Sequence, residues 1–131
     1  MRFLENPDLT VKEVADLRRA VGWDGREEQM EKIIGRTYLT VACFDGELLV
    51  GFVDVISDEV EDALIRNLLV HPEYRRQGLG LKLLEIAIKK IKADRIKTIN
   101  VLFEPELAGL YRKAGFKIVS GGMIDNEAEG F

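Results

Sequence analysis

The chain has 131 residues, 47% of them hydrophobic and 32% charged, with a formal net charge of -4. That suits one globular domain with a real core and disfavours a general nucleic-acid binder, which would be basic. One cysteine, Cys43, and one histidine, His71, exclude an internal disulfide and a cysteine-based metal site, and leave no Ser-His-Asp or HExxH system with a supporting partner.

Residues 2–5 read as a short first strand ahead of Asn6-Pro7. The opening MRFLENPDL turns polar too soon for a signal peptide, and no apolar run approaches the ~20 residues that cross a bilayer. The expected setting is the cytoplasm. Thr10 followed by Glu13 makes a capping box, T-x-x-E, and Val11, Val14, Leu17 and Val21 then recur at helical spacing as far as Gly22. A second short helix is expected over residues 26–34.

From Tyr38 the period changes. YLTVACF and LLVGFVDVI are β-type runs around Asp45-Gly46, a hairpin signal for either a two-residue loop or a three-residue loop that includes Glu47. The acidic loop SDEVED leads into ALIRNLLV, a third strand that Pro72 ends. A helix opened by Gly78 or Gly80 should reach about Lys92, with Leu79, Leu83, Ile86 and Ala87 on its apolar face. KTINVLF reads as another strand. PELAGLYRKAG reads as a helix with Pro105 in its first turn and Gly115 just past its end. FKIV (116–119) is expected to close the order as a strand, and the tail after Gly121-Gly122 carries no pattern.

The stretch HPEYRRQGLG (71–80) is the most informative. Helix N-termini expose unpaired N–H groups and the positive end of the helix dipole. Gly78 and Gly80 would let an anion approach that backbone closely, while Arg75 and Arg76 add charge-assisted donors. A P-loop would need Lys-Ser/Thr after its second glycine, and Gly80 is followed by Leu81-Lys82-Leu83; a dinucleotide fingerprint would need glycine at position 83. Both nucleotide motifs fail. A plain tight turn with solvated arginines is the alternative.

R75-R76-Q77-G78-L79-G80 resembles the R/Q-x-x-G-x-G/A signature of the GCN5-related N-acetyltransferases (GNAT). NLLVHPEYR is similar to that family's lead-in, and LAGLYRKAGF to its second landmark, a tyrosine four residues before Gly-Phe. The resemblance covers roughly residues 1–119 and is strongest over 38–119. It implies a single α/β domain over residues 1–131, with a mixed, mostly antiparallel sheet, helices on both faces, and a splayed strand pair at an acetyl-CoA site.

It also implies roles. Backbone groups of Leu68, Leu69 and Val70 would bond the pantetheine arm of acetyl-CoA. The loop of Arg75, Arg76, Gln77, Gly78, Leu79, Gly80 and Leu81 would hold the pyrophosphate, and Tyr111 would protonate the departing thiolate. The implied reaction is direct attack of a primary amine on the thioester, the acceptor being a small molecule, a peptide or a protein lysine. A non-catalytic acyl-CoA sensor is the alternative, and exposed strand edges allow a homodimer.

The chain departs from a better-known branch of the family, whose glutamate base is replaced by Ile99 and whose cofactor-touching asparagine is replaced by Glu104. The base is left open among His71, Glu104 and Asp54. Cys43 lies in an apolar run and reads as core. Asp54, Asp58, Glu59, Glu61 and Asp62 read either as a collar for a cationic substrate or as a solvated acidic loop. Trp23 reads as an apolar wall of the acceptor cleft or as packing.

Overall fold

The computed structural model describes residues 1–130. Five strands form one sheet in the order β1 (Arg2–Glu5), β2 (Leu39–Asp45), β3 (Leu48–Ser57), β4 (Asp62–Val70), β5 (Thr98–Val101). The first three pairings are antiparallel and β4–β5 is parallel. Because β4 and β5 are parallel, the chain must cross over between them, and the helix α3 (Leu79–Ala93) makes that crossover. The fold is thus a single α/β layer structure with a mostly antiparallel sheet.

Two apolar surfaces sandwich the sheet. On one face α1 (Val11–Ala20) and α2 (Glu27–Ile33) pack Val14, Leu17 and Met30 against Ala42, Phe44, Leu49 and Phe52. On the other, Leu79, Leu83, Leu84, Ala87 and Ile91 of α3 cover Val41, Cys43, Val53, Val55 and Ile65, and Tyr111 of α4 (Ala108–Lys113) joins them. Each such fully buried aliphatic side chain stabilises the fold by about 1.5–3 kcal/mol relative to exposure. Gly51 allows the second contact: a Cβ there would lie 3.0 Å from Leu83 Cδ1 and 3.1 Å from Cys43 Cβ.

Local chemistry sets the boundaries. Thr10 and Glu13 form the expected reciprocal capping box. The β2–β3 hairpin turns on two residues, but they are Gly46-Glu47 rather than Asp45-Gly46, since Asp45 pairs with Leu48 and Gly46 carries the positive φ of 59°. Asp58 Oδ1 accepts N–H groups from Val60, Glu61 and Asp62, which folds the acidic loop onto itself and holds the Asp58 carboxyl below the ordinary range.

The expected last strand does not form. Residues 116–119 belong to no ladder, and an opening of about 460 Å³ separates them from β5. Phe116 turns inward onto the Tyr111 ring, while Val119 is 76% exposed. A strand without a partner leaves its polar backbone to water and gains no ladder. The tail is joined to the body by Glu127, whose carboxylate accepts both terminal nitrogens of Arg26 at 2.9 and 3.0 Å. Among the described residues no helix is long and apolar enough to cross a membrane.

Candidate functional site

The 71–81 segment begins with a short 3₁₀ turn, Pro72–Tyr74, capped by His71, whose Nδ1 accepts the Glu73 N–H at 3.1 Å. Tyr74 donates to Asp45 Oδ2 at 2.6 Å and ties this turn to the β2–β3 hairpin. The backbone then alternates in hand: Arg76 has φ 62° and Gly78 φ 76°. Alternation of this kind points successive N–H groups into one concavity. The hydrogen bonding of α3 starts only with Lys82, which donates to Gly78 O at 3.0 Å. The six N–H groups of residues 76–81 therefore have no acceptor among the described residues. They sit at the positive end of a 15-residue helix, with the arginine side chains exposed around them. Such a donor set suits a pyrophosphate.

A second element lies beside it. The β4–β5 ladder runs only from Asp62↔Thr98 to Ile65↔Val101. Beyond it, residues 66–70 have β3 on one side and no strand on the other. A bulge reshapes this half of β4: Phe52 pairs with Leu69 and Asp54 with Arg66, so Asn67 and Leu68 oppose Val53 alone, and Asn67 takes φ 56°. The extra residue ends regular pairing and opens the edge. The structure thus opens a gap between β4 and β5, where the resemblance implies a splayed strand pair without naming its strands.

The expected site residues converge around it. A Cβ added at Gly80 would be 3.7–3.9 Å from side-chain atoms of Val70, Leu110 and Leu68, so the 76–81 loop, the free strand edge and α4 meet at one place. Tyr111 follows Leu110 on α4, stacks on Phe103 with ring centroids 4.5 Å apart, and meets Phe116 edge-on at 5.8 Å. Its hydroxyl makes no hydrogen bond among the described residues, yet it is not sealed from solvent. Burial pushes the phenol above its ordinary value. It is protonated at neutral pH, aromatic contacts fix its ring, and its O–H is uncommitted. One strand-edge acceptor is already engaged: Arg75 Nε donates to Val70 O at 3.4 Å.

Other candidates fall elsewhere. Glu104 is exposed ahead of the 3₁₀ turn Pro105–Leu107. Ile99 is half-buried on β5. Cys43 is fully buried and burial raises its thiol, as a core residue requires. Trp23 is 45% exposed rather than packed in the core, and the Arg18 guanidinium lies over its ring at 5.1 Å. Asp54, grouped with the acidic loop on sequence, belongs instead to mid-strand and is only 2% exposed.

A cavity of about 560 Å³ opens between the sheet and the α1–α2 layer, reaching Asp54, Asn67 and Leu69 at its floor and Arg18 in its wall. Arg66 Nε donates to Asp54 Oδ1 at 3.1 Å and its terminal nitrogen to Oδ2 at 3.4 Å; Asn67 Nδ2 adds a contact at 3.4 Å. Burial nevertheless raises the Asp54 carboxyl, against the opposing pull of Arg66. Sequence reasoning missed Arg18 and Asn67. A signal for Arg18 was present, since it follows Val14 by four positions on the helix and so shares its buried face.

Comparison with known proteins identifies the family. Residues 35–118 match the family model described as acetyltransferase (GNAT) domain. The uncharacterized N-acetyltransferase ycf52 of Gracilaria tenuistipitata var. liui is 29% identical over 116 residues, covering 85% of this chain and 64% of that protein. The chain thus spans slightly under two thirds of that relative's length. Among solved structures, a GNAT-family acetyltransferase of Streptococcus pneumoniae TIGR4 superposes with a TM-score of 0.82 at 26% identity, over 94% of this chain and 95% of that one. An aminoglycoside 6'-N-acetyltransferase complexed with coenzyme A shares the fold, with a TM-score of 0.76 at 20% identity over 92% of this chain and 87% of that one.

Proposed function

The chain belongs to the GNAT acetyltransferase family, and from that premise we propose that it transfers an acetyl group from acetyl-CoA to a primary amine by direct attack in a ternary complex. One observation carries the choice of cosubstrate. Six consecutive N–H groups without acceptors among the described residues, at residues 76–81, stand beside the unpaired half of β4. A pyrophosphate attached to an amide-bearing arm matches both. A bare phosphate matches only the first. The solved relative with coenzyme A bound supports the same reading.

Acetyl-CoA supplies the thioester whose carbonyl carbon the amine attacks. In this reading the loop amides of residues 76–81 bind the pyrophosphate, with Arg75 and Arg76 adding charge at the rim. Edge groups of Leu68, Leu69 and Val70 align the pantetheine arm. The amide of Leu69 or Val70 donates to the carbonyl oxygen as negative charge develops there, which is where a fixed dipole accelerates most. Tyr111 gives its phenolic proton to the leaving sulfur, and the proton shed by the acylated nitrogen returns to the phenolate through water. Cys43 takes no part, being buried with no histidine beside it, so no acyl-enzyme is formed.

The test is chromatographic detection of free CoA from acetyl-CoA with amines, amino acids, polyamines and lysine peptides. Release with one acceptor class clearly above hydrolysis is the expected result. Tight acetyl-CoA binding with no release for any acceptor would favour a non-catalytic acyl-CoA sensor. Absence of acetyl-CoA binding would overturn the reading.

A further inference from the structure

The cavity on the α1–α2 face contains an imbalance of charge. Three charged side chains line it: Asp8, Arg18 and Asp54. Asp8 is exposed to water. The Asp54 charge is already met by Arg66, with Asn67 as a second donor. Arg18 is different. It is 8% exposed, its Nε donates to a neutral acceptor, the Asp24 carbonyl, at 2.8 Å, and its two terminal nitrogens have no hydrogen-bond partner among the described residues but are not sealed from solvent. The nearby Asp24 carboxylate is used elsewhere, accepting the Arg26 N–H at 2.8 Å.

The Asp24 and Asp54 carboxylates favour the Arg18 charge from a distance, but a largely buried guanidinium with no carboxylate bonded to it is still costly. The Trp23 ring offsets part of that cost from one side. Loss of hydration pulls the Arg18 pKa downward, which expresses the same deficit. What remains is a planar fork of donors lining a cavity of about 560 Å³, within the usual size range of small-molecule sites, and such a fork fits a carboxylate in bidentate fashion. The floor of the same cavity offers acceptors for an amine: the Asp54 lone pairs that Arg66 and Asn67 leave unused, and Asn67 Oδ1. Asn67 precedes Leu68 and Leu69, the strand edge along which the thioester is placed above.

Resting on the acetyltransferase reading, we propose that this cavity is the acceptor site and that it selects a small amine carrying a carboxylate, an amino-acid-like molecule. Its carboxylate docks on Arg18, and its amino end lies toward Asp54 and the β4 bulge. A lysine within a protein chain carries no free carboxylate near its amine, so a protein substrate would leave Arg18 unanswered.

The experiment titrates matched pairs that differ only by a carboxylate, tyramine against tyrosine and cadaverine against lysine, into the protein alone and into the protein with coenzyme A, read calorimetrically. In at least one pair the carboxylated member should bind at least about tenfold tighter. Arg18→Met should abolish that preference and Arg18→Lys should restore part of it, with acetyl-CoA affinity unchanged in both. Equal binding within every pair, or no binding by any member, overturns the proposal using the natural chain alone, whether or not the variants fold. A preference that survives in Arg18→Met also overturns it. Failure of the acetyltransferase reading registers separately, as absent acetyl-CoA binding or absent CoA release.

Discussion

Tyr111 and Asp54 are both held by burial, with opposite consequences. For Tyr111, burial keeps the phenol protonated and the flanking rings of Phe103 and Phe116 hold its direction. Tyr111→Phe preserves those ring contacts and removes only the proton donor. It should lower kcat by about 10²-fold while leaving the acetyl-CoA Kd nearly unchanged; unchanged turnover would remove Tyr111 from the chemistry. For Asp54, the folded-state pKa is raised by burial, so the folded chain holds this proton more tightly than the unfolded one. Its contribution to stability is complete below about pH 4 and is lost as pH rises through the folded value. Asp54→Asn has no such proton. Measured by urea unfolding at stepped pH, the variant should therefore gain stability relative to the natural chain from about pH 4 towards neutrality. A difference independent of pH would refute the raised value.

At the scale of elements, the site depends on how closely α3 approaches the sheet. Gly51 sets that distance, because Leu83 and Cys43 already occupy the space a methyl group would need. Gly51→Ala should destabilise the fold by about 1–3 kcal/mol through overpacking, and by shifting α3 it should also weaken acetyl-CoA binding. Denaturant unfolding and calorimetry would measure the two effects. Gly78 contributes otherwise: the space around it is open but its φ is 76°. Gly78→Ala should cost about 1–2 kcal/mol in backbone strain and reduce acetyl-CoA affinity more than stability, because relaxation of the strain turns loop amides away from the anion. Equal acetyl-CoA Kd values for the variant and the natural chain would contradict that assignment.

Across the whole molecule, cooperativity resides in the sheet and its two covering layers, and the tail adds little. Residues 117–125 are exposed throughout, and Glu127 meets Arg26 at a solvent-exposed site. Exposed ion pairs contribute little to stability. Glu127→Ala should leave the Tm unchanged within error while making the segment after residue 117 more susceptible to limited proteolysis. A clear drop in Tm would mean that the tail is an integral part of the fold.

The amino-acid order by itself determined most of the elements and the loop whose amides stand free. Periodicity places the helices and all five observed strands, because each element's apolar pattern is a local property. The Arg75–Gly80 signature locates the free amides, because a glycine-bracketed helix start exposes donors wherever it occurs. Three features were decided only by tertiary structure. Residues 116–119 have a strand's composition, but a strand exists only if a neighbouring edge lies in register, and the gap beside β5 denies it one. Asp54 reads as part of an acidic loop until the β3–β4 pairing buries it beside Arg66. Arg18 and Asn67 lie 49 positions apart in sequence and line one cavity only because α1 packs across the bulge of β4. Burial and pairing are properties of distance in space, which a linear pattern does not contain.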